Sequence, residues 1–214
     1  MATTDPSLSN LAQSTLAIYE RQAHSFDQLR SRDGREQAWI DRWLGLLPPA
    51  STLLDLGCGS GDPLAASLLA RGHQVTGVDG AAAMLAIARD RYPTGHWLQA
   101  DMRTMKLDTR FDGILAWNSS FHLDPDDQRA LIPRLATHLA PGGAILMTVG
   151  PQAGEVMGTV GDESVYHASL APETYRELLA AHHITVVAFV PEDPNCHGHS
   201  VLLAQHQPKQ LLQT

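Results

Sequence analysis

The segment TLLDLGCGSGDP, residues 52–63, has three glycines at alternate positions after an apolar run. Gly57, Gly59 and Gly61 are followed directly by Asp62. Glycine tolerates positive φ and lets a ligand approach the backbone closely, whereas a simple turn would need only one such residue. The dinucleotide fingerprint G-x-G-x-x-G requires a glycine where this chain has Asp62, and an acid at a helix start repels a pyrophosphate. The loop therefore predicts a ligand without phosphate groups.

Further polar residues stand where other apolar runs end. Asp79 closes the run QVTGVD, 22 residues after Gly57, and an acid at about this spacing accepts hydrogen bonds from ribose hydroxyls in dinucleotide folds. The alternative for Asp79 is a helix N-cap. Asp101 follows HWLQA and is either a ligand contact or an ordinary turn acid. His122 follows FDGILAWNSS, and an imidazole there is suited to general base catalysis near neutral pH or to orienting its loop by hydrogen bonds.

A regular alternation of elements is expected to position these residues. Short apolar runs alternate with helical segments of about 10 to 15 residues, which is typical of a parallel sheet with helices on both faces. Only PEDPNCHG separates the last two runs, too short for a parallel crossover, so these two should form an antiparallel hairpin. The sequence thus predicts a doubly wound, Rossmann-like α/β sheet of seven strands, six parallel and the last reversed.

The motifs resemble those of the class I S-adenosylmethionine-dependent methyltransferases. Their first motif, a strand followed by D/E-x-G-x-G-x-G, corresponds to LDLGCGSG, and VTGVDGAAAMLAIAR is similar to the second. LQADMR, FDGILAWNSSFHL and LAPGGAILMTV resemble the later motifs in order, so the likeness covers roughly residues 50–150. The reversed last strand agrees with this family.

The resemblance implies S-adenosyl-L-methionine as the cofactor and assigns roles to matching positions. Asp79 would bind the ribose, Asp101 the adenine amino group, and Met102 the ring. Tyr19, within a Y-x-x-x-A-x-x-F-D pattern, would touch the methionine end or be one more apolar-face residue of its helix. The full set of implied cofactor residues is Tyr19, Asp55, Gly57, Gly59, Gly61, Asp79, Gly80, Asp101, Met102 and Trp117.

Three segments should form the acceptor side: the N-terminal region, the loop after the fourth strand, and the glycine-rich insertion 150–172. His122 and Tyr166 are the catalytic candidates, and Phe121, His122, His197 and His199 are the candidates for acceptor binding. Cys196, His197 and His199 lie close together in sequence, but a short hairpin offers little geometry for a metal, so we expect none.

Length and charge narrow the class of protein. The 214 residues suit one domain, 1–214, with residues 1–46 as a helical cap over the site. A net charge of −8 disfavours nucleic acid and anionic lipid as partners. Without a basic-then-apolar N-terminal pattern or a long apolar run, we expect a cytoplasmic protein, monomeric or homodimeric. The predicted activity is methyl transfer to O, N or S of a small acceptor; the alternatives are a non-catalytic cofactor-binding protein and a protein or RNA methyltransferase.

Overall fold

The structure is a computed structural model that describes residues 6–207, with side chains described at Ala12 and from Ser14 onward. Residues 1–5 and 208–214, which belong to the predicted domain and partly to the predicted cap, lie outside the described residues. The helices are α1 Pro6–Leu29, α2 Gln37–Leu44, α3 Leu64–Ala70, α4 Ala82–Arg91, α5 Pro125–His138 and α6 Pro172–Ala180. The strands are β1 Thr52–Leu56, β2 Gln74–Asp79, β3 His96–Gln99, β4 Phe111–Ala116, β5 Leu139–Val149, β6 Gly154–Val160, β7 Glu163–Ser169, β8 Ile184–Asp193 and β9 His199–His206.

Seven strands form one sheet in the order β3-β2-β1-β4-β5-β9-β8. The pairs β1–β2, β1–β4, β2–β3 and β4–β5 are parallel, whereas β9 runs antiparallel to both of its neighbours, β5 and β8. The predicted doubly wound sheet with a reversed last strand is therefore confirmed. Since the strand order reverses beside β1, the carboxyl ends of β1 and β4 border the crevice in which such sheets bind ligands.

Apolar side chains of the central strands alternate between two buried clusters, one on each face of the sheet. Leu53 and Leu146 belong to one cluster, and Leu54 and Ile145 to the other, each fully buried. Continuous apolar runs are expected when helices cover both faces of a parallel sheet. The packed sheet thus provides a rigid base for the loops at its carboxyl edge.

The glycine-rich insertion after β5 contains two strands that its sequence did not indicate. Strands β6 and β7 form a separate antiparallel hairpin, paired from Gly154 with Ser169 to Val160 with Glu163. Helix α1 packs against this hairpin through Ile18, which contacts the cluster of Val160 and Val165. The hairpin therefore packs against α1 and helps to hold this helix over the carboxyl edge of the main sheet. Within the described residues, no helix has both the length and the apolar character needed to cross a bilayer.

Candidate active site

A large cavity lies at the carboxyl edge of the sheet and holds about 1310 Å³ counted out to its mouth. Its wall is formed by α1, the glycine loop after β1, and the segments after β2, β3 and β4. All of the predicted cofactor residues line it except Gly61. Those lining the cavity are Tyr19, Asp55, Gly57, Gly59, Asp79, Gly80, Asp101, Met102 and Trp117.

The three glycines of the loop serve different purposes, although all have positive φ. A Cβ on Gly57 would lie 2.3 Å from Cβ of Ser119, and one on Gly61 would lie 2.9 Å from the Trp97 ring. A Cβ on Gly59 would meet only Sδ of Met84, at 3.9 Å, and would otherwise project into open space. Gly57 and Gly61 are thus required by packing within the protein, and Gly59 leaves room for a ligand.

Asp79 is held in place by the same loop. Its Oδ2 accepts a hydrogen bond from the Gly59 N–H at 2.9 Å, and its Oδ1 accepts one from the Ala81 N–H at 2.8 Å. Burial raises the pKa of Asp79, and hydrogen bonds from the backbone N–H groups oppose this rise. A carboxylate offers about four acceptor positions, so Asp79 can still accept a hydrogen bond from a ligand hydroxyl.

Asp55 and Arg30 place opposite charges along the same cavity. Asp55 is 2% exposed, and burial raises its pKa to about 7, while the nearby Arg30 guanidinium lowers it and Asp79 raises it further. Arg30 lies over the Phe26 ring, with Cζ 5.8 Å from its centroid, and forms no ion pair with any residue that the structure describes. A ligand with both an ammonium and a carboxylate group would be matched by this pair of charges. Sequence analysis missed Arg30, because in LRSRDGR it resembles the other arginines of a polar loop.

Asp101 lies beside the cavity with a partner already in place. Arg103 donates to it through Nε at 2.9 Å and through a terminal nitrogen at 2.6 Å. Burial raises the pKa of Asp101, but the hydrogen bonds from Arg103 outweigh this and leave the pKa below its ordinary value. The carboxylate is therefore ionised and can accept a further hydrogen bond.

His122 has partners at both ring nitrogens. Its Nδ1 lies 2.9 Å from the Tyr166 carbonyl oxygen, and its Nε2 lies 2.9 Å from the Tyr19 hydroxyl. Because a carbonyl can only accept, Nδ1 holds the proton and Nε2 accepts from Tyr19. Burial lowers the pKa of His122 to about 4 and raises that of Tyr19 to about 12, so both are uncharged at neutral pH. This geometry favours the orienting alternative for His122 over the general base.

The other predicted residues lie outside the large cavity. The Tyr166 side chain is fully buried, and its hydroxyl donates to Glu155 Oε2 at 2.7 Å. Phe121 packs on His122 and His167, with ring centroids 4.8 and 4.7 Å apart. His197 and His199 line a second, small cavity that shares Arg30, Trp117 and Asn118 with the large one. The roles proposed for Tyr166 and Phe121 thus gain no support from position.

A family model matches the central part of the chain. Residues 53–143 match the family model described as "Methyltransferase domain". This part of the chain is therefore similar to methyltransferase domains. The matched segment begins in β1 and ends in β5, so it contains the glycine loop, Asp79 and Asp101 of this methyltransferase fold. The resemblance inferred from the motifs is thereby confirmed.

Two of the similar proteins match a little under half of the chain. Trans-aconitate 2-methyltransferase from Azoarcus sp. (strain BH72) is 42% identical over 101 residues, which are 46% of this chain and 39% of that protein. The dTDP-3-amino-3,4,6-trideoxy-alpha-D-glucopyranose N,N-dimethyltransferase of Streptomyces venezuelae is 32% identical over 102 residues, 47% of this chain and 43% of that protein. The chain thus spans about two fifths of the length of these two relatives.

Among solved structures, the crystal structure of Burkholderia thailandensis 1,6-didemethyltoxoflavin-N1-methyltransferase matches nearly the whole chain. It contains bound 1,6-didemethyltoxoflavin and S-adenosylhomocysteine. The TM-score is 0.72 at 20% sequence identity, and the match covers 97% of this chain and 92% of that one. At this identity the likeness shows the common fold.

Proposed function

We propose that the protein transfers a methyl group from S-adenosylmethionine to a small acceptor molecule. The observation on which the proposal depends is the large cavity, where Gly59 leaves open space beside Asp79 while Asp55 and Arg30 present opposite charges. When bound, S-adenosylmethionine supplies an electrophilic methyl group on a positively charged sulfur. The relatives named as methyltransferases of trans-aconitate and of an amino sugar support a small acceptor.

Four charged residues of the cavity have a function in this proposal. Asp79 accepts hydrogen bonds from the two ribose hydroxyls, and Asp101 accepts one from the adenine amino group. Asp55 and Arg30 bind the ammonium and the carboxylate of the amino-acid end. Tyr19, fixed by His122, closes the cavity from the α1 side. Positioning of two reactants supplies much of the rate of such a displacement, so the chain needs no covalent step of its own.

Calorimetric titration with S-adenosylhomocysteine tests the cofactor half of the proposal. We expect saturable 1:1 binding and no comparable binding of NAD. Gly59→Val should abolish binding in a folded protein, because a branched side chain would occupy the ligand space and disfavour the observed φ of 55°. Gly72→Val is the matched control, since Gly72 also has positive φ but lies in the turn between α3 and β2, outside the cavity. Normal binding by Gly59→Val would show that the loop is only structural.

The catalytic half is tested by product formation. Incubation with S-adenosylmethionine and a panel of small acceptors, followed by mass spectrometry, should show a methylated product and S-adenosylhomocysteine in equal amounts. Cofactor binding without transfer to any acceptor would favour the non-catalytic alternative.

A further inference from the structure

The small cavity holds about 540 Å³ counted out to its mouth and has no function in the proposal above. It shares Arg30, Trp117 and Asn118 with the large cavity. A molecule in the small cavity would therefore touch Arg30, which binds the amino-acid end of the cofactor in the proposed function. That is the end next to the sulfur, where a methyl acceptor must lie.

Asn118, at the junction, is held in a fixed orientation. It has a φ of 51°, a left-handed conformation that few residues other than glycine adopt. Its N–H donates to Thr148 Oγ1 at 2.8 Å, and its side-chain amide nitrogen lies 3.2 Å from His199 Nε2. The junction is thus a built polar surface.

In the proposed complex with the cofactor, the small cavity carries one unpaired negative charge. His197 is paired with Asp33 at 3.0 Å. Burial lowers the pKa of His199, with His197 and Arg30 adding to the effect and Glu36 opposing it, so this imidazole is uncharged at neutral pH. Arg30 is neutralised by the cofactor carboxylate in the proposed complex. Glu36 lines the cavity and forms no ion pair with any described residue, which leaves its carboxylate as the unbalanced charge.

We propose that the small cavity binds the methyl acceptor and that this acceptor is a small amine, held by Glu36. The proposal rests on the proposed function, because it assigns the charge of Arg30 to the cofactor. An ammonium group would pair with Glu36, whereas a carboxylate acceptor would face Glu36 with no free cation beside it. Trp117 gives the cavity an apolar ring edge, and Asn118 and His199 give it hydrogen-bonding groups.

The proton and electron balance of this transfer is simple. The bound ammonium first releases one proton to solvent. The nitrogen lone pair then forms the C–N bond to the methyl carbon while the C–S bond breaks and its electron pair stays on sulfur. The products are a methylated ammonium ion and S-adenosylhomocysteine, so no oxidant, reductant or metal is required.

The test compares three probes of one shape: cyclohexylamine, cyclohexanol and cyclohexanecarboxylate. We expect the protein saturated with S-adenosylhomocysteine to bind cyclohexylamine at least about tenfold more tightly than the other two in a calorimetric titration. With S-adenosylmethionine, the methylated amine should be the product seen by mass spectrometry. Equal or tighter binding of the alcohol or the carboxylate would overturn the amine proposal while leaving the proposed function intact.

Two variants test the assignment of charges. Glu36→Gln should weaken cyclohexylamine binding by about 10- to 100-fold, the usual effect of removing a charged hydrogen bond, and should leave S-adenosylhomocysteine binding within about twofold. Glu177→Gln, on the exposed face of α6, is the control and should change neither. Arg30→Gln should weaken S-adenosylhomocysteine binding. Unchanged amine binding in Glu36→Gln, or unchanged cofactor binding in Arg30→Gln, would contradict the proposal. Failure of the unaltered protein to bind S-adenosylhomocysteine would instead contradict the proposed function.

Discussion

At the residue scale, folding alters the ionisation of Asp55. It is 2% exposed, and its pKa is raised to about 7 chiefly by burial. A carboxyl group with this pKa is partly protonated in the free protein at neutral pH. An ammonium group placed beside it would favour the ionised form and lower the pKa again.

Binding of S-adenosylhomocysteine should therefore release protons from Asp55. We expect roughly half a proton to one proton per site between pH 6 and 7, measured by calorimetry in buffers of different ionisation enthalpy. Asp55→Asn should bind more weakly and without that release. Proton uptake on binding by the unaltered protein would show that the ammonium lies elsewhere.

Asp79→Ala should weaken S-adenosylhomocysteine binding by about 10- to 100-fold, because hydrogen bonds to a charged acceptor are worth about 1.5–3 kcal/mol. Asp90→Ala, at the exposed end of α4, is the control. Equal affinities of Asp79→Ala and the unaltered protein, in the same titration, would remove the ribose role.

For His122, the two alternatives predict different kinetics. Since its ring bonds to Tyr19 and to the Tyr166 carbonyl, we expect His122→Ala to raise the KM for S-adenosylmethionine and to leave the shape of the pH–rate profile unchanged. Tyr19→Phe should have a similar effect on KM. A loss of turnover of about 10²- to 10⁴-fold with the acidic limb of the profile abolished and KM unchanged would instead identify His122 as the general base.

Asp55, Gly59, Asp79 and Asp101 of the large cavity were predictable, because they lie in or just after strands at spacings that a motif fixes. Arg30 and Asn118 were not. Arg30 reaches the cavity from the end of α1, and its contribution depends on how that helix crosses the sheet. Asn118 is distinguished by its left-handed φ, which no pattern of residue types reveals.

At the scale of elements, α1 is attached on both sides of the large cavity. Asp27 accepts from both terminal nitrogens of Arg91 on α4, at 2.9 and 2.7 Å, and from Ser60 in the glycine loop at 2.6 Å. On the opposite side, Arg21 of α1 forms an ion pair with Glu163 at the start of β7. The hairpin that provides Glu163 was not predicted, since its glycines and exposed apolar residues obscure the alternation of a strand.

Asp27→Asn should destabilise the protein in a pH-dependent manner. The Arg91 hydrogen bonds lower the pKa of Asp27 to about 2, burial opposes them, and Ser60 and Arg32 add to the lowering. A depressed carboxyl pKa stabilises the folded state above about pH 4 and loses that effect as the pH falls toward 2. Urea unfolding at pH 7, 4 and 3 should therefore show a difference between variant and unaltered protein that narrows with acid. Asp126→Asn, whose side chain is 97% exposed, should differ little at any pH.

At the scale of the whole molecule, cofactor and fold are thermodynamically linked. The large cavity joins α1, the glycine loop and three strand ends, so a ligand there binds only the folded chain. S-adenosylhomocysteine at about 100 times its Kd should add about 2.7 kcal/mol to the free energy of unfolding. For a chain of this length the midpoint of thermal unfolding should rise by about 5–10 °C.

Gly59→Val offers the comparison in the same calorimetric scan. Its unfolding midpoint should not respond to S-adenosylhomocysteine, whereas Gly72→Val should show the full increase. An equal increase in all three proteins would place the ligand away from the glycine loop.

The attachment of α1 on both sides has a consequence for the pace of turnover. Tyr19, Phe26 and Arg30 of this region form one wall of the large cavity, so we expect release of the spent cofactor to be slowed by the ion pairs of Asp27 and Arg21. Pairs that are partly open to solvent weaken as ionic strength rises. The residence time of the spent cofactor should then shorten as salt is added. If the first turnover is faster than later ones, the separation of α1 from its partners, and not methyl transfer, is the slow step.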